Sequence, residues 1–356
     1  MKKFSKLFLI LLSIILAFNS LSCGFRGDSF SVTAFGSPAY VEVYDKPLTE
    51  EVKTKIKDTL SALELEFSVN IDGSTVKNIN ENIDFTLSPS AKDVIEKSQT
   101  YYEFSNQKFN PAVYPLNKLW HFAKGTEVEK EQFSPPTDEE LNTLLNSGVL
   151  DYSALTINGD KVQKSNPNVE IDFGGMLKGY ASQIVMDILL DNGYSSGYVS
   201  LGTSSISLLS VEKLSLRHPQ NANKLILELN CKEQQKTSVS TSGNYEKYYE
   251  YDGKVYSHIL DTSTGKPYDN KILSATILSK DSAFADAMTT ALCLCEHNVG
   301  QTDSQLTAFM KKIIEFDSSA SIYVVYGDGQ NKQIITNKKQ GKDFALLDNS
   351  FSIVNI

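Results

Sequence analysis

The chain has 356 residues, 41% of them hydrophobic, and a formal net charge of −9. The length suits one large domain or two ordinary ones, and the apolar content is enough for an ordinary buried core. The acidic balance argues against nucleic acid or an anionic membrane surface as a partner, and four cysteines are too few for a disulfide scaffold.

In chain order, Lys2, Lys3 and Lys6 precede a 12-residue apolar run, LFLILLSIILAF. A basic start, a short apolar middle and then small residues form the layout of a secretory signal. The run is too short for a membrane span, which needs about 20 residues. Ser22-Cys23-Gly24 resembles a bacterial lipobox, although Ser20 and Leu21 depart from its preferred residues. The expectation is a signal peptide over 1–22, lipidation of Cys23 and a tether over 23–30. The folded domain, with room for two subdomains, then spans 31–356. This puts the protein outside the cytoplasm, lipid-anchored on the periplasmic or cell-surface side of the membrane. The alternative is an ordinary cleaved signal with a chance cysteine. Loss of the three signal lysines moves the net charge from −9 to −12.

A strand is expected at 41–43. Glu50–Phe67 has helical spacing through Val52, Ile56, Leu60, Leu63 and Phe67. Ser88-Pro89 opens a helix to about Tyr102, and Thr137 with Glu140 forms a capping box for a helix closed by Gly148. Leu155–Gln163 reads as a hairpin turning on Asn158-Gly159. Lys178–Asn192 reads as a helix that stops at Gly193. Strands follow at 198–201, 206–209, 225–229, 254–260 and 272–278, helices at 282–295 and 306–315, and strands at 322–326 and 333–336. Cys293 and Cys295 are two apart on the expected helix, so they neither pair easily nor clamp a metal. Without regular βαβ alternation, the fold class is α+β, with mostly antiparallel sheet packed against helices.

Four stretches carry chemistry. In VEIDFGGMLKGYA, residues 169–181, a strand runs into Asp172, Gly174, Gly175, Lys178 and Gly179. Glycine there lets backbone approach a ligand, and the lysine suits a phosphate. In residues 238–267, Ser240, Thr241, Ser242 and Gly243 suit phosphate oxygens. Further on in that stretch, His258 with Asp261 suits general-base work or a plain structural hydrogen bond. In FADAMTTAL, residues 284–292, Asp286 and Thr290 share a helix face. They form a hard oxygen pair suited to Mg²⁺, or the acid merely complements the helix dipole. In residues 108–122 the only tryptophan, Trp120, lies with Phe109, Tyr114 and two prolines, a segment fit for a ring pocket or for core.

Together these stretches resemble the ApbE family of FAD:protein FMN transferases, whose runs look like DLGGxxKGY, TSGxYxxYxxxxGxxxxHIxDPxTGxP and ADAxxTAL. The chain carries Asp172–Tyr180, Thr241–Tyr245, His258–Asp261, Thr264–Pro267 and Ala285–Leu292 in the same order. Phe35-Gly36-Ser37 is similar to the family's Met-Gly-Thr, Ser74 with Asn80 to its Ser…Asn pair, and Asn110–Trp120 to its Pro-Leu…Trp segment. The resemblance covers most of 33–295. It implies an ApbE/T-fold-like architecture that binds FAD with Mg²⁺ and moves FMN onto a Thr or Ser hydroxyl, releasing AMP. Carried over residue by residue, Asp286, Thr290 and the Gly175 carbonyl hold the metal and His258 is the base. FAD contacts fall to Phe35, Gly36, Ser37, Ser74, Asn110, Trp120, Gly174, Lys178, Thr241, Ser242, Gly243, His258, Asp261 and Thr264. The implied acceptor is an exported flavoprotein of a membrane redox complex.

Departures from the family pattern are Ser200-Leu201-Gly202-Thr203-Ser204 for Asn-x-Gly-Gly-Asp, Gln183 for Asp, Phe35 for Met, and Thr262 for Pro. Asn70 stands where relatives carry an aromatic that could stack on a ring. Two other functions use the same residues: FAD pyrophosphatase, with water as acceptor, and non-catalytic FAD binding. Retention of His258, Asp286 and Thr290 argues against the second, since binding needs no base.

Overall fold

The computed structural model describes residues 27–356, apart from 233, 235, 301 and 302. The expected signal segment 1–22 and Cys23 lie outside the described residues. Two strands, β1 (Asp28–Ala34) and β2 (Ser37–Val43), open the fold. They join through Phe35 and Gly36, both at positive φ (51° and 66°), a conformation that suits a two-residue hairpin turn. Because β1 starts at Asp28, the end of the expected tether is already strand.

The helix α1 (Glu50–Phe67) buries the five residues its spacing selects, and the Thr49 side chain accepts from Val52 N at its start. Three more follow: α2 (Thr75–Asn80), α3 (Pro89–Phe104) and α4 (Tyr114–Leu119). The Ser88 side chain caps α3 through Ala91 N. The capping box of Thr137 and Glu140 opens α5 (Asp138–Asn146) as expected. The hairpin of β3 (Leu155–Asn158) and β4 (Lys161–Lys164) pairs Asn158 with Lys161. Its turn is therefore Gly159-Asp160, one residue later than expected, since Gly159 takes the positive φ and Asn158 stays in the ladder.

The helix α6 (Gly174–Asp191) begins four residues before the expected Lys178. Asp172 Oδ1 accepts the Gly174 N–H at 2.8 Å, which satisfies one of the free amides at a helix start. Next come β5 (Gly197–Leu201), β6 (Ser205–Ser210), β7 (Lys213–His218), β8 (Asn221–Asn230) and β9 (Thr237–Gly243). Strand β9 was not expected: TSVSTSG lacks the apolar alternation that marks a strand, and its hydroxyl-rich end read as a turn. The expected strand 254–260 is instead β11 (Lys254–Ser257), paired with β10 (Tyr248–Tyr251), and then β12 (Leu260–Asp261), paired with β13 (Lys266–Pro267). The break falls at His258, whose N–H donates to Lys247 O at 3.0 Å. The chain continues through β14 (Ile272–Ser279), α7 (Ser282–Cys293), α8 (Gln305–Phe316), β15 (Ser321–Gly327), β16 (Lys332–Thr336), β17 (Phe344–Leu346) and β18 (Ser352–Asn355). Helix α7 ends at Cys293, two residues short of expectation. Both Cys293 and Cys295 are buried, which pushes each thiol up to about 12.

A nine-stranded sheet in the order β1-β2-β5-β6-β9-β14-β15-β16-β18 organises the molecule. Every pairing in it is antiparallel except β16 with β18. This is the α+β arrangement expected. Alternation along the strands gives the sheet two apolar faces. Val41, Val199, Ala275, Ile277 and Val324 face the helices, with Ile56, Met176 and Phe284 among the core they join. Ile206, Leu208, Val239, Tyr323 and Val325 face a three-stranded sheet of β17, β8 and β7. A third, smaller cluster holds Trp120, Phe133, Leu141 and Tyr249 beneath the β10–β11 ribbon.

On β9, and at Ser205 and Ser207 of β6, the helix-facing positions are serines rather than apolar residues. Ser182 Oγ donates to Gly179 O (2.8 Å) and lies 2.9 Å from Ser207 Oγ. The chain runs on through Ser238 (2.7 Å) and Ser282 to Gln183 Oε1. These bonds tie α6, β6, β9 and α7 into one unit, as buried hydroxyls require partners. Gln183 therefore has a structural place here.

Candidate active site

The amino end of α6, the Asp286–Thr290 face of α7, the turn after β5, the end of β9 and the His258 break enclose one cavity of about 400 Å³. Its walls include the expected Phe35, Ser37, Asn110, Gly174, Gly175, Lys178, Thr241, Ser242, His258, Asp286 and Thr290. Residues up to about 250 positions apart in the chain are thus brought to one place.

Asp286 is the most constrained of them. It is 5% exposed; its Oδ2 accepts from Gly179 N at 2.9 Å and its Oδ1 from Ser205 Oγ at 3.2 Å. Burial raises its pKa above the ordinary carboxylate value, with the Lys178 charge and these two bonds opposing the shift. One turn on, Thr290 Oγ1 lies 3.4 Å from Ser242 Oγ, which in turn is 2.9 Å from Thr289 Oγ1. On β9, Ser240 is fully buried and its hydroxyl has no partner. It pairs in register with Ser205, the residue that holds Asp286.

His258 is half-buried on the cavity wall, edge-on to Phe122. Its Nδ1 lies 3.1 Å from the Lys247 carbonyl oxygen, so Nδ1 carries the proton and donates, and Nε2 keeps a free lone pair. Burial lowers the imidazole to about 4; the bond to Lys247 O works against this, and the Lys247 and Lys178 charges add to it. The ring is therefore neutral at physiological pH and ready to accept a proton. Asp172 and Glu246 also line the cavity, and burial raises the pKa of both.

The other expected contacts lie elsewhere. Trp120 is core: it is buried and donates Nε1–H to Gly265 O at 2.7 Å. Ser74 caps α2, accepting from Lys77 N at 3.0 Å and donating to Ser68 O at 2.6 Å. Asp261 and Thr264 shape the β12–β13 turn, where Asp261 Oδ1 accepts from Ser263 N and Oγ. Gly36 and Gly243 are not among the lining residues; at Gly243 a Cβ would stand 2.4 Å from the Tyr245 ring. Asn70 is exposed, its N–H donating to Ser68 Oγ, and it is not on the cavity wall. Asn110 does line the cavity, but its amide is committed to Leu150 O (2.8 Å) and Thr262 Oγ1 (3.1 Å). Thr262, a departure from the family's proline, is thus what Asn110 bonds.

Sequence reading missed Lys108, Asn117, Glu246 and Lys247 as lining residues. All four fall inside stretches singled out for other residues, and each read as an ordinary solvated polar position.

The arrangement fits an anionic ligand with a divalent cation. Gly174 and Gly175 open an 18-residue helix whose amino end meets the cavity, a place that favours phosphate oxygens. Asp286 and Thr290 are hard oxygen donors suited to Mg²⁺, and the buried hydroxyl of Ser240, in register with the Asp286 partner Ser205, is unsatisfied. Among the described residues no group of three or more His, Cys, Asp or Glu could hold a metal. A cation here therefore needs ligand oxygens to complete its shell.

The sequence profile described as the ApbE family matches residues 32–306. A FAD:protein FMN transferase of Klebsiella pneumoniae is 28% identical over 339 residues, covering 93% of this chain and 98% of that protein. One of Vibrio cholerae is 27% identical, covering 68% of this chain and 73% of its own length. Among solved structures, the ApbE protein of Thermotoga maritima superposes with a TM-score of 0.70 at 25% identity, covering 85% of this chain and 94% of that one. The apo flavinyl transferase ApbE of Pseudomonas stutzeri has a TM-score of 0.70 at 21% identity, covering 87% and 94%, which speaks for the fold alone.

Proposed function

The chain belongs to the ApbE family, and we propose from that premise that it is a FAD:protein FMN transferase. The observation that carries the reading is the convergence of His258, Asp286, Thr290 and the amino end of α6 on one cavity. The substrate is FAD, and the acceptor is a Thr or Ser hydroxyl of an exported flavoprotein serving a membrane redox complex. The protein itself reaches that membrane through a lipid on Cys23.

Asp286, Thr290 and the Gly175 carbonyl are the residues that would hold Mg²⁺. When bound, the cation neutralises the pyrophosphate and stabilises charge on the leaving group. The amino end of α6 and the Lys178 ammonium orient the phosphates. The acceptor hydroxyl oxygen forms a bond to the FMN phosphorus, and the bond from that phosphorus to the bridging oxygen breaks. AMP leaves with the bridging oxygen, and the hydroxyl proton passes to His258 Nε2. The Nδ1–H bond to Lys247 O fixes the ring in the tautomer this transfer needs.

Water competes with the acceptor at the same phosphorus. His258 is half-buried rather than sealed, so some FAD hydrolysis to FMN and AMP accompanies transfer. The deciding experiment incubates FAD and Mg²⁺ with and without an acceptor protein, counting AMP and covalently bound FMN. Asp286→Ala should lose both products; near wild-type turnover in that variant would place the chemistry elsewhere.

A further inference from the structure

The β10–β11 ribbon is a sheet of two strands only. Among the described residues no strand or backbone hydrogen bond from elsewhere reaches the outer edge of β11. One face of the ribbon is anchored: Tyr249 stacks on Phe133 at 4.2 Å between ring centres, and Tyr256 packs against Trp120 at 5.5 Å. The opposite face carries Val255, which is 53% exposed and pairs with Glu250. A β-branched apolar residue on a free edge is the kind of position that natural sheets usually cover or charge. The strand leads through Ser257 directly into His258. Val255 and His258 are three positions apart, about 10 Å along an extended chain.

We propose that this free edge of β11 is where the acceptor polypeptide docks. An extended segment of the acceptor adds a third strand to the ribbon. One of its apolar side chains covers Val255, and its Thr or Ser, about three residues along, reaches His258. Main-chain hydrogen bonds supply affinity without demanding a particular sequence, and alternate side chains supply register. The aromatic anchor beneath the ribbon keeps the edge rigid, which limits the ordering cost of docking. The inference rests on the transferase reading and names the surface its second substrate uses.

The test uses FAD, Mg²⁺ and a panel of synthetic extended peptides, each with one central Thr, with covalent FMN read by mass spectrometry. For a peptide labelled by the wild-type protein, Val255→Asp should raise its KM about tenfold, equivalent to about 1.4 kcal/mol. FAD affinity, read from flavin fluorescence, and kcat should stay unchanged. Leu65→Asp, at another exposed apolar position on α1, should change nothing. Saturating peptide should slow amide hydrogen exchange over 254–257. An unchanged KM in Val255→Asp, or unslowed exchange in β11, overturns the docking site while leaving transfer intact. If the wild-type protein labels no peptide yet frees AMP from FAD, the transferase reading fails and the docking site falls with it.

Discussion

The Gly179 N–H donates to Asp286 Oδ2 at 2.9 Å, and a Cβ on Gly179 would stand 2.2 Å from the Ser282 carbonyl oxygen and 2.9 Å from Asp286 Cβ. Helices α6 and α7 thus meet backbone to backbone at this crossing. The same glycine that permits the contact also aims the carboxylate, so the helix packing and the chemistry share one residue.

Gly179→Ala should accordingly damage both. Ordinary helix propensity favours alanine by up to about 1 kcal/mol, but overpacking against fixed backbone costs about 1–3 kcal/mol. A lower Tm together with reduced turnover is the expected outcome in thermal unfolding and AMP-release assays. A Tm at or above wild type would show that the two helices can part without loss.

His258→Ala should depress transfer by about 10²- to 10⁴-fold, the usual worth of a positioned base, with FAD affinity little changed. The folded imidazole, at about 4, lies below its ordinary 6.5. Over that window the unfolded chain takes up a proton that the folded chain does not. The contribution of His258 to stability is therefore complete above about pH 6.5 and falls as pH drops toward 4. For the same reason the transfer rate should show no His258 inflection between about pH 5.5 and 8. A pH–rate profile breaking near 6.5, and losing that break in the variant, would contradict the neutral-base assignment.

Asp286→Asn should separate stability from activity. Burial disfavours the ionised carboxylate, and the amide oxygen can still accept from Gly179 N while the NH₂ donates to Ser205 Oγ. The metal-free variant should melt at a higher temperature than wild type, yet turn over no FAD, since an amide is a poor partner for Mg²⁺. Calorimetry without metal and AMP release with it are the two readouts. A lower Tm would mean that the negative charge itself holds the α6–α7 crossing.

Cys23→Ser should move the protein from the membrane to the soluble fraction. Mass spectrometry of the wild-type amino terminus should find Cys23 as the first residue, bearing acyl chains; two are needed for firm anchoring. An unmodified amino terminus downstream of Cys23 would dispose of the anchor.

Much of the fold was legible from periodicity and capping. Spacing of 3.6 picked out all five buried residues of α1, and Thr137 with Glu140 marked α5 to the residue. Strand β9 was hidden because its helix-facing positions are serines, and the hydroxyl partners of Ser238 and Ser242 lie on β6 and α7, which no local pattern reveals. Among the singled-out residues, those of singular chemistry are the ones that line the cavity: an acid and a hydroxyl one helical turn apart, a histidine, and a glycine pair. Ser74, Trp120, Asp261 and Thr264 do not line it, because capping, core packing and turn geometry use the same residue types as ligand binding. Motif matching alone does not separate the two uses. Lys247 went unseen since it acts through its backbone carbonyl, which every residue possesses.

The position where β1 begins sets a leash. Asp28 follows Cys23 by five positions, and five residues reach at most about 18 Å when fully extended. A domain anchored at Cys23 is thereby confined to a shallow layer against the bilayer, with little freedom to tumble end over end. With the proposed lipid on Cys23, encounters with a membrane-bound acceptor would become a two-dimensional search at high local concentration, and acceptors free in the surrounding fluid would be disadvantaged by geometry alone.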